Sequence, residues 1–326
     1  MMKRRDGLDG RADSDAEAEL AARAAWLYHV GGLLQAEVAK ELDLSLFKVN
    51  RLIAYATERG IVRVMVDGPI ADCVTLERRL TERFQLASAR VVPDLGDKRM
   101  PLHAIGVAAA SFLHGEIESK RHRIIGVGHG RTLAAASQNL PARKVSHVQF
   151  VALLGSLPSR LSAHPFEVVY ALADRTGSSA HLISVPLYAD NADDRHVLIR
   201  QSSVRRAFAA ADQASLCLLG IGSVADKEGT DLRMEAIGAE DLAEVRRAGA
   251  VGELLGFYYD AEGQRVQASL HDRVIALDPD QLRGRQAVAV AGGEPKVDAI
   301  LAIQRTRVLS GLITTDGTAR KLLARR

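Results

Sequence analysis

Along the first sixty residues apolar side chains return every third or fourth position, and after that the period changes. Between Ala16 and Val30 the positions Leu20, Ala24, Leu27 and Val30 recur at helical spacing, and Gly31-Gly32 closes the run. A second short helix is predicted over Gln35 to Leu42, with a turn at Asp43 and Leu44. Ser45 then caps a third helix that runs to about Arg59, where Gly60 stops it. Val38, Ala39, Leu42, Leu44, Val49 and Leu52 are the inward positions, and the small Ala39 lets two helices cross closely. Helix, tight turn, helix at this spacing is the pattern of a DNA-binding helix-turn-helix. Asp43 stands where many such units have glycine and tolerates left-handed backbone better than most residues. Past Gly60, the alternating run Ile61 to Val66 reads as a strand closed by Asp67-Gly68-Pro69, which predicts a wing.

The third helix carries Lys48, Asn50 and Arg51 away from Val49 and Leu52, near the end where a recognition helix meets base edges and phosphates. Ser45 opens that helix, Lys40 and Arg63 flank the same surface, and Gln35 at the start of the second helix suits a phosphate contact. Phe47 can touch a thymine methyl or pack on its neighbours. Global charge adds nothing to this reading: 43 Lys and Arg stand against 40 Asp and Glu, a net of +3, and the first 70 residues hold 10 basic and 11 acidic side chains. DNA binding rests on local pattern alone.

Beyond Pro93 short apolar runs alternate with amphipathic ones. Strands are predicted at Ile124 to Val127, His147 to Leu154, His181 to Val185, Ser215 to Leu219, Ala287 to Ala291 and Gly311 to Ile313. Helices are predicted at Leu102 to His114, Thr132 to Asn139, Phe166 to Thr176, Ser203 to Ala211, Asp241 to Ala248, Val297 to Gln304 and Thr318 to Leu323. This is an α/β fold with a mostly parallel sheet, in which ligands sit beyond the carboxyl ends of strands. The domain division expected is 1–68 for the DNA-binding unit, 69–92 for a linker and 93–326 for ligand binding and oligomerisation.

The strand ends are rich in small residues. Gly128-His129-Gly130-Arg131-Thr132 leads from a strand into a helix; its glycines let backbone approach an anion, the helix start offers N–H groups and Thr132 adds a hydroxyl. The spacing is not the GxGxxG of a dinucleotide fold, and no acid follows at the required distance, so a nicotinamide cofactor is not expected. Gly155-Ser156, Gly220-Ile221-Gly222-Ser223, Gly292-Gly293-Glu294-Pro295-Lys296 and Thr314-Thr315-Asp316 repeat the style, which suits a polyhydroxylated ligand, phosphorylated or not.

Composition sets the remaining bounds. At 326 residues and 47% hydrophobic the chain can bury a core without disulfides or metals. Cys73 and Cys217 lie 144 positions apart with no metal-binding spacing around them, so both are read as free thiols, and the scattered histidines predict no metal site. The longest apolar runs are far too short to cross a bilayer, and the charged N-terminus has no apolar core of a secretory signal; no membrane association and a cytoplasmic location are expected.

In order along the chain, Ala25-Trp26-Leu27-Tyr28, Gln35 to Ala39, Val49 to Ile53, Gly60-Ile61-Val62, Gly128 to Thr132, Gly220 to Ser223, Gly249 to Glu253, Phe257 to Asp260, Arg273 to Ile275, Gly292 to Val297 and Leu312 to Asp316 resemble the SorC/DeoR-type (SorC family) bacterial transcriptional regulators. The resemblance covers nearly the whole chain. It implies a winged helix-turn-helix joined to a Rossmann-like sugar-binding domain of the type shared with phosphosugar isomerases and CoA transferases. It also implies dimers or tetramers whose operator binding changes when a sugar, polyol or sugar phosphate is bound. By position it places Gly128, Gly130 and Thr132 in the phosphate loop, Glu253 and Lys296 in the effector pocket and Asp316 near the last strand; Arg160 and Arg233 align more loosely. Leu46-Phe47 and Gly317 depart from the common pattern of relatives. A sugar-phosphate isomerase-like enzyme is the alternative, since the same pocket would serve it, but no nucleophile arrangement is readable in the sequence and the N-terminal unit has no use in such an enzyme.

Overall fold

The computed structural model describes residues 9–62, 70–96, 101–157, 168–225 and 227–325, with side chains over 16–62, 72–96, 101–157, 168–225 and 237–325. The chain divides into two compact units, Met1–Gly68 and Pro69–Arg326.

The first unit holds α1 (Asp9–His29), α2 (Gln35–Glu41) and α3 (Leu46–Glu58). Gly32 has positive φ just past α1, and Asp43 takes φ 52° in the turn between α2 and α3, the left-handed position expected of it. Ser45 caps α3 by accepting the Lys48 N–H at 3.2 Å. Ala21, Ala24, Ala25, Val38, Ala39, Val49, Leu52, Ile53 and Ala56 form the core, with Leu42 and Leu44 packed against it. The backbone N–H groups of Ile61 and Val62 both turn back to the Ala56 carbonyl. The rest of the predicted wing strand, with Arg63, lies outside the described residues.

The second unit opens with α4 (Ile70–Phe84), β1 (Ser88–Val92), α5 (Leu102–Glu118), β2 (Ile124–Val127), α6 (Arg131–Asn139), β3 (Gln149–Ser156) and α7 (Val168–Thr176). It continues through β4 (Ser179–Pro186), α8 (Ala192–Arg200), α9 (Ser202–Asp212), β5 (Leu216–Leu219), β6 (Gly222–Ser223) and α10 (Lys227–Arg247). It ends with β7 (Gly252–Leu254), β8 (Phe257–Tyr259), β9 (Gln286–Val290), α11 (Val297–Arg305), β10 (Gly311–Thr315) and α12 (Asp316–Ala324). Seven strands form one sheet in the order β1-β10-β9-β5-β2-β3-β4, with every neighbouring pair parallel. Strands buried on both faces read as continuous apolar runs, and Leu216 to Leu219 and Ala287 to Val290 are fully buried in this way. β6, β7 and β8 make a separate antiparallel sheet too short to announce itself by alternation.

The segment 69–92, expected as a linker, is corrected by the structure. It forms α4 and the edge strand β1, which pairs with β10. α4 is amphipathic rather than linker-like: Cys73, Leu76 and Leu80 are buried in the core that also takes Ala319 and Leu322 of α12. Its Glu77 accepts the Val91 N–H at 2.8 Å, tying the helix to β1. Both cysteines are buried and unpaired, and burial pushes Cys217 up to about 12. Among the described residues no helix is long and apolar enough to cross a membrane, and no His, Cys, Asp and Glu cluster could hold a metal.

Candidate functional site

On α3, Lys48, Asn50 and Arg51 are exposed while Val49 and Leu52 are buried, so helical periodicity sorts the polar side chains to the outside as expected. Phe47 is 74% exposed and therefore does not pack on its neighbours. Lys40 is exposed on α2, and Gln35, half-buried, begins that helix. The outer face of α3 thus presents two basic side chains, an amide and an uncovered aromatic ring on one short helix.

The sheet order sets the second site. From β2 the chain steps outward through β3 to β4; from β5 it steps the other way through β9 and β10. The direction reverses between β2 and β5, where an open α/β sheet leaves a crevice beyond its strand ends. Two glycine loops meet there: the Gly128 N–H donates to the Leu218 carbonyl at 2.8 Å, and a side chain at Gly220 would collide with the His129 carbonyl oxygen. Gly130, with φ 136° and ψ 158°, turns the chain from β2 into α6 in a conformation open almost only to glycine. It leaves the first N–H groups of α6 facing outward from the turn.

The loop after β9 closes the same crevice. Lys296, 7% exposed, donates from Nζ to the Ile221 carbonyl at 2.9 Å, and the Ser223 hydroxyl donates to the Pro295 carbonyl at 2.6 Å. Glu253 on β7 lies against Gly222, where a side chain would strike its carboxylate, and it accepts the Gly256 N–H at 2.6 Å. Gly128, Gly130, Glu253 and Lys296 are therefore brought together with Gly220 and Gly222, although they are up to 168 positions apart in the chain. His129 and Arg131 are half-buried within the same loop. Burial pushes the His129 imidazole down to about 4, so it is neutral at pH 7.

Three expectations change. The Thr132 hydroxyl, 1% exposed, donates to the Val290 carbonyl at 2.7 Å and pins α6 to β9, so Thr132 can serve a ligand through its backbone and not through the side-chain proton. Asp316, at the start of α12, has its side chain engaged by the segment after β1. Its carboxylate accepts the Asp94 N–H at 3.1 Å beyond β1 and faces Cys73, whose thiol is pushed up by burial first and by Asp316 second. Ser156 is exposed at the end of β3 and donates to the Val185 carbonyl, one strand away from the crevice. Arg160 lies outside the described residues, as does the side chain of Arg233, which falls within α10.

The structure also assembles two polar groups that sequence spacing did not reveal. His122 lies 2.8 Å from the Ser215 hydroxyl through Nδ1 and 3.1 Å from Glu116 through Nε2. Glu116 is in turn held by Arg121 at 2.8 Å and Gln286 at 3.2 Å. This serine, histidine and carboxylate set sits where β2, β5 and β9 begin, at the opposite end of the sheet from the crevice, and its carboxylate is held by three structural partners, Arg121, His122 and Gln286. A cleft of about 460 Å³ is lined by Glu244, Arg265, Ser269 and His271. There, Ser269 donates to Glu244, Arg265 grips Asp278 through both Nη atoms and His271 accepts the Tyr258 N–H, so those groups are committed to one another.

Residues 68–324 match the model of the Sugar-bind family of sugar-binding domains. The chain is 41% identical over 310 residues to the erythritol catabolism regulatory protein EryD of Brucella abortus, covering 95% of this chain and 98% of that protein. It is 34% identical over 312 residues to the transcriptional regulator LsrR of an Enterobacter species, covering 94% of each. Among solved structures it is similar to the full-length sorbitol operon regulator SorC of Klebsiella pneumoniae, with a TM-score of 0.75, 26% identity and coverage of 94% of this chain and 98% of that one. A helix-turn-helix followed by a parallel sheet with glycine loops at its reversal point is the plan of a sugar-binding transcriptional regulator, not of an isomerase. The chain belongs to the SorC family of these regulators.

Proposed function

We propose that the crevice between the 128–132, 220–223 and 292–296 loops binds a small polyol, sugar or sugar phosphate, and that the bound effector changes the affinity of α3 for operator DNA. The observation that carries this reading is the convergence of three glycine loops with Lys296 and Glu253 at the one place where the sheet order reverses. Backbone N–H groups at the start of α6 suit hydroxyl or phosphate oxygens, and Glu253 suits a hydroxyl donor. The relative concerned with erythritol catabolism directs attention to four-carbon polyols and their phosphates. Lys48, Asn50, Arg51 and Phe47 would contact base edges and phosphates, with Gln35, Lys40 and Ser45 beside them on the backbone. A regulator of this kind works as a homo-oligomer, in the cytoplasm where its DNA is.

A thermal-shift panel of sugars, polyols and their phosphates tests the effector half. Erythritol or erythritol phosphate at about 100 times its dissociation constant should stabilise the full chain by roughly 2.7 kcal/mol. Calorimetry with and without a duplex selected by the protein from a random pool then tests the coupling. Identical affinities with and without DNA would refute it, because binding linkage is reciprocal.

A further inference from the structure

Both sides of α12 are engaged. On one side the Thr318 hydroxyl accepts the Gly293 N–H at 2.9 Å and lies 3.0 Å from the Thr315 hydroxyl, and Lys321 pairs with Glu294 at 2.5 Å. Through these contacts α12 holds the 292–296 loop, the same loop that sends Lys296 into the crevice. On the other side Arg320 pairs with Asp72 of α4 at 2.8 Å, while Arg83 of α4 donates to the Leu323 carbonyl at 2.8 Å and to the Arg325 carbonyl. Leu76 and Leu80 share a core with Ala319 and Leu322. α4 begins at Ile70, immediately after the boundary between the two units.

One polar group in this arrangement lacks a partner. Thr314 Oγ1 is fully buried and, among the described residues, makes no hydrogen bond. It and Thr318 Oγ1 both border the space beside the Gly292 α-carbon, at 3.4 and 3.3 Å from where a β-carbon would stand. In this structure Thr318 holds the Gly293 N–H while Thr314 makes no hydrogen bond; a Thr318 hydroxyl released from that N–H would have Thr314 as its alternative partner across the same space.

We infer that α12 is the relay between effector and reading head, with Thr318 as its trigger and the Arg320 and Arg83 contacts as its grip on α4. This rests on the reading that the glycine loops hold the effector. A ligand oxygen that takes the Gly293 N–H competes directly with Thr318. The freed hydroxyl finds Thr314, and the loop and α12 re-seat against each other. Packed helices shift between discrete arrangements rather than deforming continuously, so a small change at Thr318 moves α12 as a body and α4 with it.

The test uses the full chain, erythritol and erythritol phosphate as probes, and the selected duplex. In wild type a saturating probe should change duplex affinity about 5- to 150-fold. Thr318→Val removes the trigger, and the double variant Arg83→Gln, Arg320→Gln removes the exposed grip without touching the core. Thr318→Val, which takes away the competitor for the Gly293 N–H, should bind the probe at least as tightly as wild type, and the arginine double variant should keep probe affinity within about twofold; both should keep probe-free duplex affinity within about twofold, while the probe-induced change falls below about threefold. Arg78→Gln, on the outer face of α4, should respond as wild type. Variants that bind both partners normally and still respond like wild type would overturn the relay while leaving the effector reading intact. A wild type indifferent to either probe would remove the effector reading, and the relay with it.

Discussion

His129 lies between two glycines in the loop from β2 to α6, half-buried, and its imidazole is pushed down to about 4 from the ordinary 6.5. Because the folded value is the lower one, the unfolded chain binds the extra proton between pH 6.5 and 4. The neutral-histidine contribution is therefore fully present above pH 6.5 and is lost as pH falls toward 4, by as much as about 3 kcal/mol. Urea unfolding of wild type and His129→Gln at pH 7.5 and 4.5 checks this: the wild type should lose stability relative to the variant on acidification. The same ring reports on the effector. A phosphate held by residues 128–132 would raise the imidazole pKa and a neutral polyol would leave it, which histidine NMR titration in the presence of each compound distinguishes. Of the loop's residues, the glycines and the turn they make were readable from their place between a strand and a helix. The fate of Thr132 was not, because its acceptor is a carbonyl 158 positions away. The Ser215, His122 and Glu116 set was hidden for the same reason.

At the scale of elements, the reading head was the most legible part of the chain. Its helices are long enough for the period to show, and its turn is signalled by Asp43 and its cap by Ser45. Two substitutions separate fold from recognition there. Ser45→Ala removes the acceptor of the Lys48 N–H and should cost about 1 kcal/mol of stability with base preference unchanged. Arg51→Ala, on the exposed face, should leave stability within about 0.5 kcal/mol but weaken binding by roughly 1–3 kcal/mol and relax one position of the selected sequence. Denaturant melts beside repeat selections from a random pool measure both. α4 escaped the sequence reading because its partner, α12, is some 240 residues away: Arg78, Arg79, Glu82 and Arg83 give it the polar look of a connector, and only the docked structure shows that Leu76 and Leu80 have a place to go. β6, β7 and β8 were missed because strands of two or three residues carry no period.

For the molecule as a whole, the alternation of apolar runs and helices led directly to a parallel sheet. The order of its strands was not in the pattern. That order decides the site, since it puts the loops after β2 and β5 side by side at the reversal. One short recognition helix per chain is a modest reading surface, and specific operators are commonly met by two half-sites related by a two-fold axis. Sedimentation equilibrium of the full chain at micromolar concentration with the selected duplex should therefore give a multiple of the chain mass. A monomer under those conditions would contradict the proposed assembly.

The pairing of β1 with β10, and of α4 with α12, joins the start of the second unit to its end. On the ribosome this has a direct consequence. The first unit owns a complete core by the time α3 and the residues after it have emerged, and it can fold while synthesis continues. β1 and α4 are made next but have nothing to dock on until residues 311–324 follow, near the far end of the chain. A partly made chain thus carries a second unit whose parallel sheet stays open at the place of β10 until residues 311–315 have been made.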